Sequence, residues 1–205
     1  MAKFIDGIAM SAEYARRNNL KKLFDSQVEI LIDRNTPYEI VVVLQSQREQ
    51  VISKASSMVI GERNIPFLPI ISPAYIGYHG LVSKIQSKKG YYISIDPALI
   101  VDQVQIPNGL YYIYNIESGE FTRGDTPGSV LDLSLSPLTA AEIINLCIVT
   151  DVLSKHCVGA VGSRNIFNEK IPVIYLDDDG RLILNCFYDD YQDDDLGWPS
   201  CGSRG

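Results

Sequence analysis

The sequence is poor in residues that metal centres and catalytic imidazoles need. It has two histidines, His79 and His156. Its four cysteines are scattered and form no Cys-x-x-Cys pair: Cys147, Cys157, Cys186 and Cys201. This spacing indicates neither a zinc ribbon nor a disulfide framework. We therefore expect free thiols, no metal and no cofactor.

Long apolar runs are also absent. The longest unbroken aliphatic run covers only residues 40–44, far below the roughly 20 residues of a membrane-spanning helix. The first residues carry Asp6 where a secretory signal would have its apolar core. We expect a cytoplasmic protein that has no membrane partner.

Basic residues are scarce in the second half of the chain. Residues 1–100 contain 12 Lys and Arg against 9 Asp and Glu, whereas residues 101–205 contain 6 against 16. Because phosphate contacts need clustered basic side chains, this balance argues against duplex nucleic acid as a ligand. A small anionic ligand or a protein partner is compatible with it. The 46% hydrophobic content suffices for a folded core.

The pattern of apolar residues predicts one α+β domain over residues 1–205. Helical spacing predicts a mainly helical layer over residues 1–60, with helices at 11–17, 20–34 and 45–58. Residues 40–44 fit either a strand or a helix. Short apolar runs then predict strands at 66–71, 91–95 and 110–116. We expect a mixed or mostly antiparallel sheet in an α/β core over residues 61–205.

Two local signals in the second half are specific. Thr139 and Glu142 have the spacing of a capping box, which predicts a helix over about 139–155 that Gly159 ends. Asp179-Gly180 between two apolar runs predicts a C-terminal hairpin over 173–187. A turn or hairpin is also expected at Ser118-Gly119, and an exposed loop over 123–137.

The tripeptide Gly-Ser-Arg occurs twice, as Gly162-Ser163-Arg164 and as Gly202-Ser203-Arg204. Such a segment can bind an anion, since glycine lets backbone amides turn inward and arginine adds a planar fork of donors. The same residues also make ordinary turns. The candidate ligand-binding residues are Ser163, Arg164, Ser203, Arg204 and the nearby Trp198.

Cys201 is the candidate nucleophile if a base lowers the pKa of its thiol; His156 and His79 are the histidines available, and His156 is the candidate base. A buried, unreactive thiol is the alternative. His156, expected in the last turn of the capped helix, would then complement the helix dipole. The five aspartates within residues 189–195 lack the spacing of a calcium loop and are expected to form a solvated acidic loop.

Eight segments of the chain, in order, resemble a family of bacterial domains of unknown function found in small-genome bacteria. They are residues 24–28, 66–70, 112–119, 137–142, 162–164, 171–173, 179–181 and 198–204. The resemblance implies no activity. It implies that both Gly-Ser-Arg segments belong to the family pattern and that Cys201 matters more than the other thiols.

The leading hypothesis is a binding or interaction protein with a site, or a structural junction, where the two Gly-Ser-Arg segments meet. It requires Arg164 and Arg204 to lie together or share a partner. The alternative is a hydrolase-like enzyme with Cys201, or else Ser163 or Ser203, as nucleophile and His156 as base. In a third interpretation, the C-terminal segment only stabilises the fold.

Overall fold

Three helices form the N-terminal layer: α1 (Ala2–Asp33), α2 (Tyr38–Ser46) and α3 (Arg48–Ser57). This computed structural model describes residues 2–131 and 136–205, and the side chains of α1 from residue 14 onward. The helices predicted at 11–17 and 20–34 are one helix, since no proline or glycine separates them. Residues 40–44 are helical because their buried positions, Ile40, Val41 and Leu44, recur at helical spacing.

The helix predicted over residues 45–58 is divided between two elements. α2 ends at Ser46 and α3 begins at Arg48, with Gln47 as the junction residue. The remaining helices are α4 (Pro73–Val82), α5 (Pro127–Leu131) and α6 (Ala140–Val149). Short 3-10 helices cover Pro97–Leu99, Glu120–Thr122 and Val152–Ser154.

Twelve strands are described in residues 2–131 and 136–205. They are β1 (Ile65–Ile70), β2 (Tyr91–Ile93), β3 (Ile100–Asp102), β4 (Tyr111–Ile116), β5 (Ser136–Pro137), β6 (Cys157–Gly159), β7 (Ser163–Asn165), β8 (Ile171–Leu176), β9 (Leu182–Phe187), β10 (Leu196–Gly197), β11 (Ser200–Cys201) and β12 (Ser203–Arg204). The strands predicted at 66–71, 91–95 and 110–116 are confirmed as β1, β2 and β4.

Two larger sheets and two strand pairs result. The first sheet is antiparallel, with strand order β1-β4-β12. The second is mixed, with order β10-β6-β8-β9-β2, where β10 and β6 are parallel and so are β9 and β2. β11 pairs with β5, and β3 pairs with β7. The prediction of an α+β fold is confirmed.

The predicted C-terminal hairpin is formed by β8 and β9. Asp177 organises the turn, since its Oδ1 accepts the amides of Asp179 and Arg181 at 3.1 and 2.8 Å. In this turn only Gly180 has a positive φ, of 77°. The turn is therefore not the two-residue type with positive φ at both positions that Asp-Gly favours, although the hairpin is where the sequence places it.

The capping box of α6 is also present. Thr139 Oγ1 accepts the Glu142 amide at 3.3 Å, and Glu142 Oε2 accepts the Thr139 amide at 2.8 Å. The helix ends at Val149, earlier than predicted, because Thr150 adopts an extended backbone and its hydroxyl donates to the Leu146 carbonyl at 2.7 Å. Gly159 lies in β6 and does not cap the helix.

Every residue of α6 is buried, because the helix lies in the main core in contact with α1, α4, β1 and β8. A smaller core lies beside the second sheet. Its buried members are Val130, Val161, Ile171, Val173, Leu196 and Trp198. Among residues 2–131 and 136–205, no helix combines the length and apolarity needed to cross a membrane.

Two predicted connections differ from the structure. At residues 118–119, Gly119 has a φ of 96° and starts the 3-10 helix Glu120–Thr122; no hairpin forms there, since β4 pairs with β1 and β12. The loop expected over 123–137 contains α5 and β5, and its residues 132–135 lie outside the described residues.

The packing of Trp198 on Gly159 gives a test of the smaller core. A Cβ on Gly159 would overlap the Cζ3 and Cε3 atoms of the indole. We expect Gly159→Ala to lower the free energy of unfolding by about 2 kcal/mol or more, as overpacking does, measured by urea unfolding. The control is Gly128→Ala in α5, where a Cβ meets nothing within 4 Å. Equal stability of the two variants would contradict this packing.

Candidate functional site

The first Gly-Ser-Arg segment lies against the start of α6. The Gly162 amide donates to the Leu138 carbonyl at 3.0 Å. A Cβ at Gly162 would lie 2.8 Å from the carbonyl oxygens of Pro137 and Leu138, so the close approach requires glycine. Ser163 is fully buried, and its Oγ accepts the Ala140 amide at 2.9 Å. The serine thus satisfies one of the amides that the first turn of a helix leaves free.

The second segment reaches the same turn through Arg204. Its guanidinium donates from Nε to Glu142 Oε1 at 2.7 Å and from Nη2 to Glu142 Oε2 at 2.8 Å. Nη2 also donates to the Pro137 carbonyl at 2.7 Å, and Nη1 donates to Ser136 Oγ. Glu142 is fully buried and the Arg204 side chain is only 9% exposed. The pair is therefore a buried, bidentate ion pair.

Both segments meet at residues 136–142. We call this segment, together with Ser163 and Arg204, the α6 clasp. Arg164 lies outside it: Nη1 donates to the carbonyls of Val161 and Ser163 at 2.9 and 3.0 Å, and Nη2 pairs with Asp189 at 3.3 Å. The two arginines share no partner among the described residues. The structure therefore gives a shared anion site no support.

Inside the clasp, the charge of Arg204 is paired with that of Glu142. Burial disfavours the charged form of Arg204, but the hydrogen bonds and charge of Glu142 outweigh burial and raise the arginine's pKa. Burial raises the pKa of Tyr111, whose hydroxyl donates to Glu142 Oε1 at 3.1 Å. Burial also raises the pKa of Asp102, while the hydrogen bond from Ser163 at 2.5 Å opposes that shift. The donors and acceptors here bind one another, which is what a structural junction does.

The other two ligand candidates are also buried. Trp198 is 0% exposed and lies over Gly159, with its indole nitrogen donating to the Asp125 carbonyl at 2.8 Å. Ser203 Oγ is buried and has no hydrogen-bond partner among the described residues. Because the Trp198 indole is fully buried, it cannot stack on a ligand; it packs in the smaller core.

Cys201 and His156 are not assembled as a catalytic pair. Cys201 is fully buried in β11, and burial raises the pKa of its thiol to about 12. His156 lies beyond the end of α6, contrary to prediction, and its Nε2 contacts the Ser118 carbonyl oxygen at 3.0 Å. No hydrogen bond joins the two side chains in the described chain. His79 lies in α4, its ring 6.2 Å from that of Tyr91.

A different site, which the sequence reasoning missed, lies on the outer face of the second sheet. Tyr175, Phe187 and Tyr191 stack in a row, with ring centroids 6.1 and 4.4 Å apart. With three further residues they line a cavity of about 280 Å³; the full set is Cys157, Tyr175, Phe187, Tyr191, Asp193 and Leu196. We call it the aromatic pocket. The alternation of Ile171, Val173 and Tyr175 on one strand face was an available signal.

Two carboxylates, those of Asp193 and Asp195, lie close enough to the aromatic pocket to act on its groups, and Asp195 is paired with Arg123 at 2.8 Å. Burial, followed by the charges of Asp193 and Asp195 and opposed by Arg123, raises the pKa of the Cys157 thiol to about 11. Burial and Asp193 likewise raise the pKa of Tyr191. The Tyr191 hydroxyl donates to Asp193 Oδ2 at 3.2 Å. Since nearby carboxylates disfavour an anion here, they favour a cation.

Among the described residues, no three His, Cys, Asp or Glu side chains lie together in a way that could hold a metal ion. No protein-family model, curated protein or solved structure matches the chain. The site must therefore be interpreted from its own chemistry.

The structural role of the clasp predicts a large effect of Arg204. We expect Arg204→Met to lower the free energy of unfolding by about 3–5 kcal/mol, because it leaves the Glu142 carboxylate buried and unpaired. The double variant Arg204→Met/Glu142→Gln should regain part of this loss, since no buried charge remains. Urea unfolding measures both.

The matched control is Lys89→Met, which breaks the exposed pair of Lys89 and Asp179. That change should cost less than about 1 kcal/mol. If Arg204→Met costs no more than Lys89→Met, the clasp does not stabilise the fold.

Thiol labelling tests the catalytic alternative. At pH 8 a thiol of pKa about 12 is ionised in only about one molecule in 10⁴, and iodoacetamide reacts with the thiolate. We expect mass spectrometry to find Cys201 unmodified in the native protein and modified in urea. Rapid labelling of native Cys201 at neutral pH would contradict its burial and restore it as a nucleophile.

Proposed function

We propose that this chain is a cytoplasmic binding protein that holds a positively charged group of a partner in the aromatic pocket. One observation carries the proposal: three stacked rings and the Asp193 carboxylate line one cavity. The α6 clasp, in this proposal, is the structural junction that stabilises the fold beside it.

Aromatic faces and carboxylates attract the same kind of ligand. A cation over an aromatic ring is stabilised by about 0.5–2 kcal/mol, more as it loses water. Asp193 adds direct charge pairing at the edge of the cavity. Residues 101–205 carry 16 acidic residues against 6 basic ones, and this excess of negative charge adds long-range attraction for a basic partner. A cationic protein partner fits this charge better than the small anionic ligand or duplex nucleic acid does.

The pocket lacks the groups that nucleophilic catalysis needs. Its one thiol, Cys157, has a raised pKa and stays protonated at neutral pH. The candidates elsewhere, Cys201 and Ser163, are fully buried. A hydrolase-like enzyme using Cys201 and His156 therefore has no observation in its favour.

Two further aspects belong to the proposal. The cytoplasmic location is supported by the four cysteines, which are all free, as in a reducing compartment. The resemblance to bacterial domains of unknown function stays a prediction, and it supplies no ligand.

A labelled basic peptide tests the proposal. The probe is a fluorescent octapeptide in which Arg and Lys alternate with Gly, and fluorescence anisotropy measures its affinity. We expect binding that weakens as salt rises. Tyr191→Ala should weaken binding about fivefold or more by removing the outermost ring of the stack.

The control is Tyr92→Ala, which removes an exposed ring from β2, outside the pocket lining. It should leave the affinity unchanged. Absence of binding at about 1 mM, a free energy near −4 kcal/mol, would overturn the proposal. Equal affinity of the Tyr191→Ala and wild-type proteins would overturn it as well.

A further inference from the structure

The rings of the aromatic pocket are not covered by a cation of the chain itself. Elsewhere the chain places its own cations on aromatic rings: Lys170 over Tyr188 at 3.9 Å, Lys54 over Tyr114 at 4.5 Å and Arg63 over Phe121 at 5.6 Å. No described Lys or Arg lies over Tyr175, Phe187 or Tyr191. The three rings beside Asp193 are therefore open to a cation that comes from outside the described chain.

Asp193 keeps acceptor capacity on both oxygens. Oδ1 accepts the Asp195 amide at 2.8 Å, and Oδ2 accepts the Tyr191 hydroxyl at 3.2 Å. Each carboxylate oxygen can accept two hydrogen bonds, so one position on each oxygen is left. Two parallel acceptors match the two parallel N–H groups of a guanidinium fork.

The aromatic rings also favour a guanidinium, which is planar. Phe187 and Tyr191 lie with their planes 28° apart, and Tyr175 and Phe187 with theirs 24° apart. The Tyr191 side chain is 37% exposed, at the outer end of the row. A guanidinium stacks flat on such a ring and is weakly hydrated, whereas an ammonium is compact and strongly hydrated.

We infer that the cation recognised by the aromatic pocket is the guanidinium of an arginine side chain in a protein partner. The inference is a refinement that depends on the proposed function. The planar group lies on the Tyr191 ring while its N–H fork donates to Asp193. The cavity of about 280 Å³ accepts one such side chain. Within the acidic loop of residues 189–195, Asp189 and Asp195 already pair with Arg164 and Arg123, so the remaining aspartates attract the basic chain that carries the arginine.

Peptides that differ at one position test the choice of cation. The probes are three heptapeptides of Gly and Ser with Arg, Lys or citrulline at the centre, titrated into the ¹⁵N-labelled full chain. We expect the Arg peptide to bind about threefold or more tightly than the Lys peptide. The citrulline peptide, which keeps the shape without the charge, should not bind.

Asp193→Asn tests the role of the carboxylate charge while keeping the local structure. Asparagine keeps an oxygen that can accept the Asp195 amide but loses the charge. We expect the Arg peptide to lose about fivefold in affinity, and the Lys peptide to lose less, because only the fork uses both oxygens. Asp178→Asn, in the β8–β9 turn and outside the pocket lining, removes the same charge and should change neither affinity.

The outcomes separate the two proposals. Equal affinity of the Arg and Lys peptides overturns the guanidinium inference and leaves cation binding intact. Tighter binding of methylguanidinium, which carries the same single charge without a peptide, than of the Arg peptide overturns a protein as the source of the guanidinium. If no cationic probe binds, the proposed function itself fails.

Discussion

The buried first turn of α6 is the constraint on which the rest of the structure depends. A helix buried on every side has no water for its first amides, so the protein must supply acceptors. Thr139 and Glu142 provide two, and Ser163 provides a third. Glu142 then brings a negative charge into the core, which is tolerable only with a partner such as Arg204. The two Gly-Ser-Arg segments are placed by this requirement.

Local signals in the sequence predicted where several helices and strands lie. Which distant residues contact one another was not predicted. The capping box and the Asp179-Gly180 hairpin depend on neighbours within a few residues, so both could be located in advance. The end of α6 was placed too late although its cause is also local: Thr150 leaves the helix with an extended backbone. The pairing of Arg204 with Glu142 joins residues far apart in the chain, and no local pattern indicates it.

The candidate site shows the same division. Four of the candidate site residues lie in the buried interior, near α6 or in the smaller core: Ser163, Arg204, Trp198 and Cys201. Their residue types suggested ligand chemistry, yet buried polar groups must also satisfy one another. The aromatic pocket was missed because its rings come from β8, β9 and the following loop. The two strand rings are not register partners, since Tyr175 pairs with Ile183 and Phe187 with Ile171. Their long side chains and the position of the loop that carries Tyr191 bring the three rings together.

The central claim is that the α6 clasp stabilises the fold and that ligands bind at the aromatic pocket. Backbone amide chemical shifts, followed by NMR while an arginine-containing peptide is added to the full chain, show whether a ligand binds at the aromatic pocket or at the clasp. The account predicts that the shifts change around Phe187, Tyr191 and Asp193 and stay constant at Ser163 and Arg204. Changes concentrated at Ser163 and Arg204, with none around Tyr191, would contradict it.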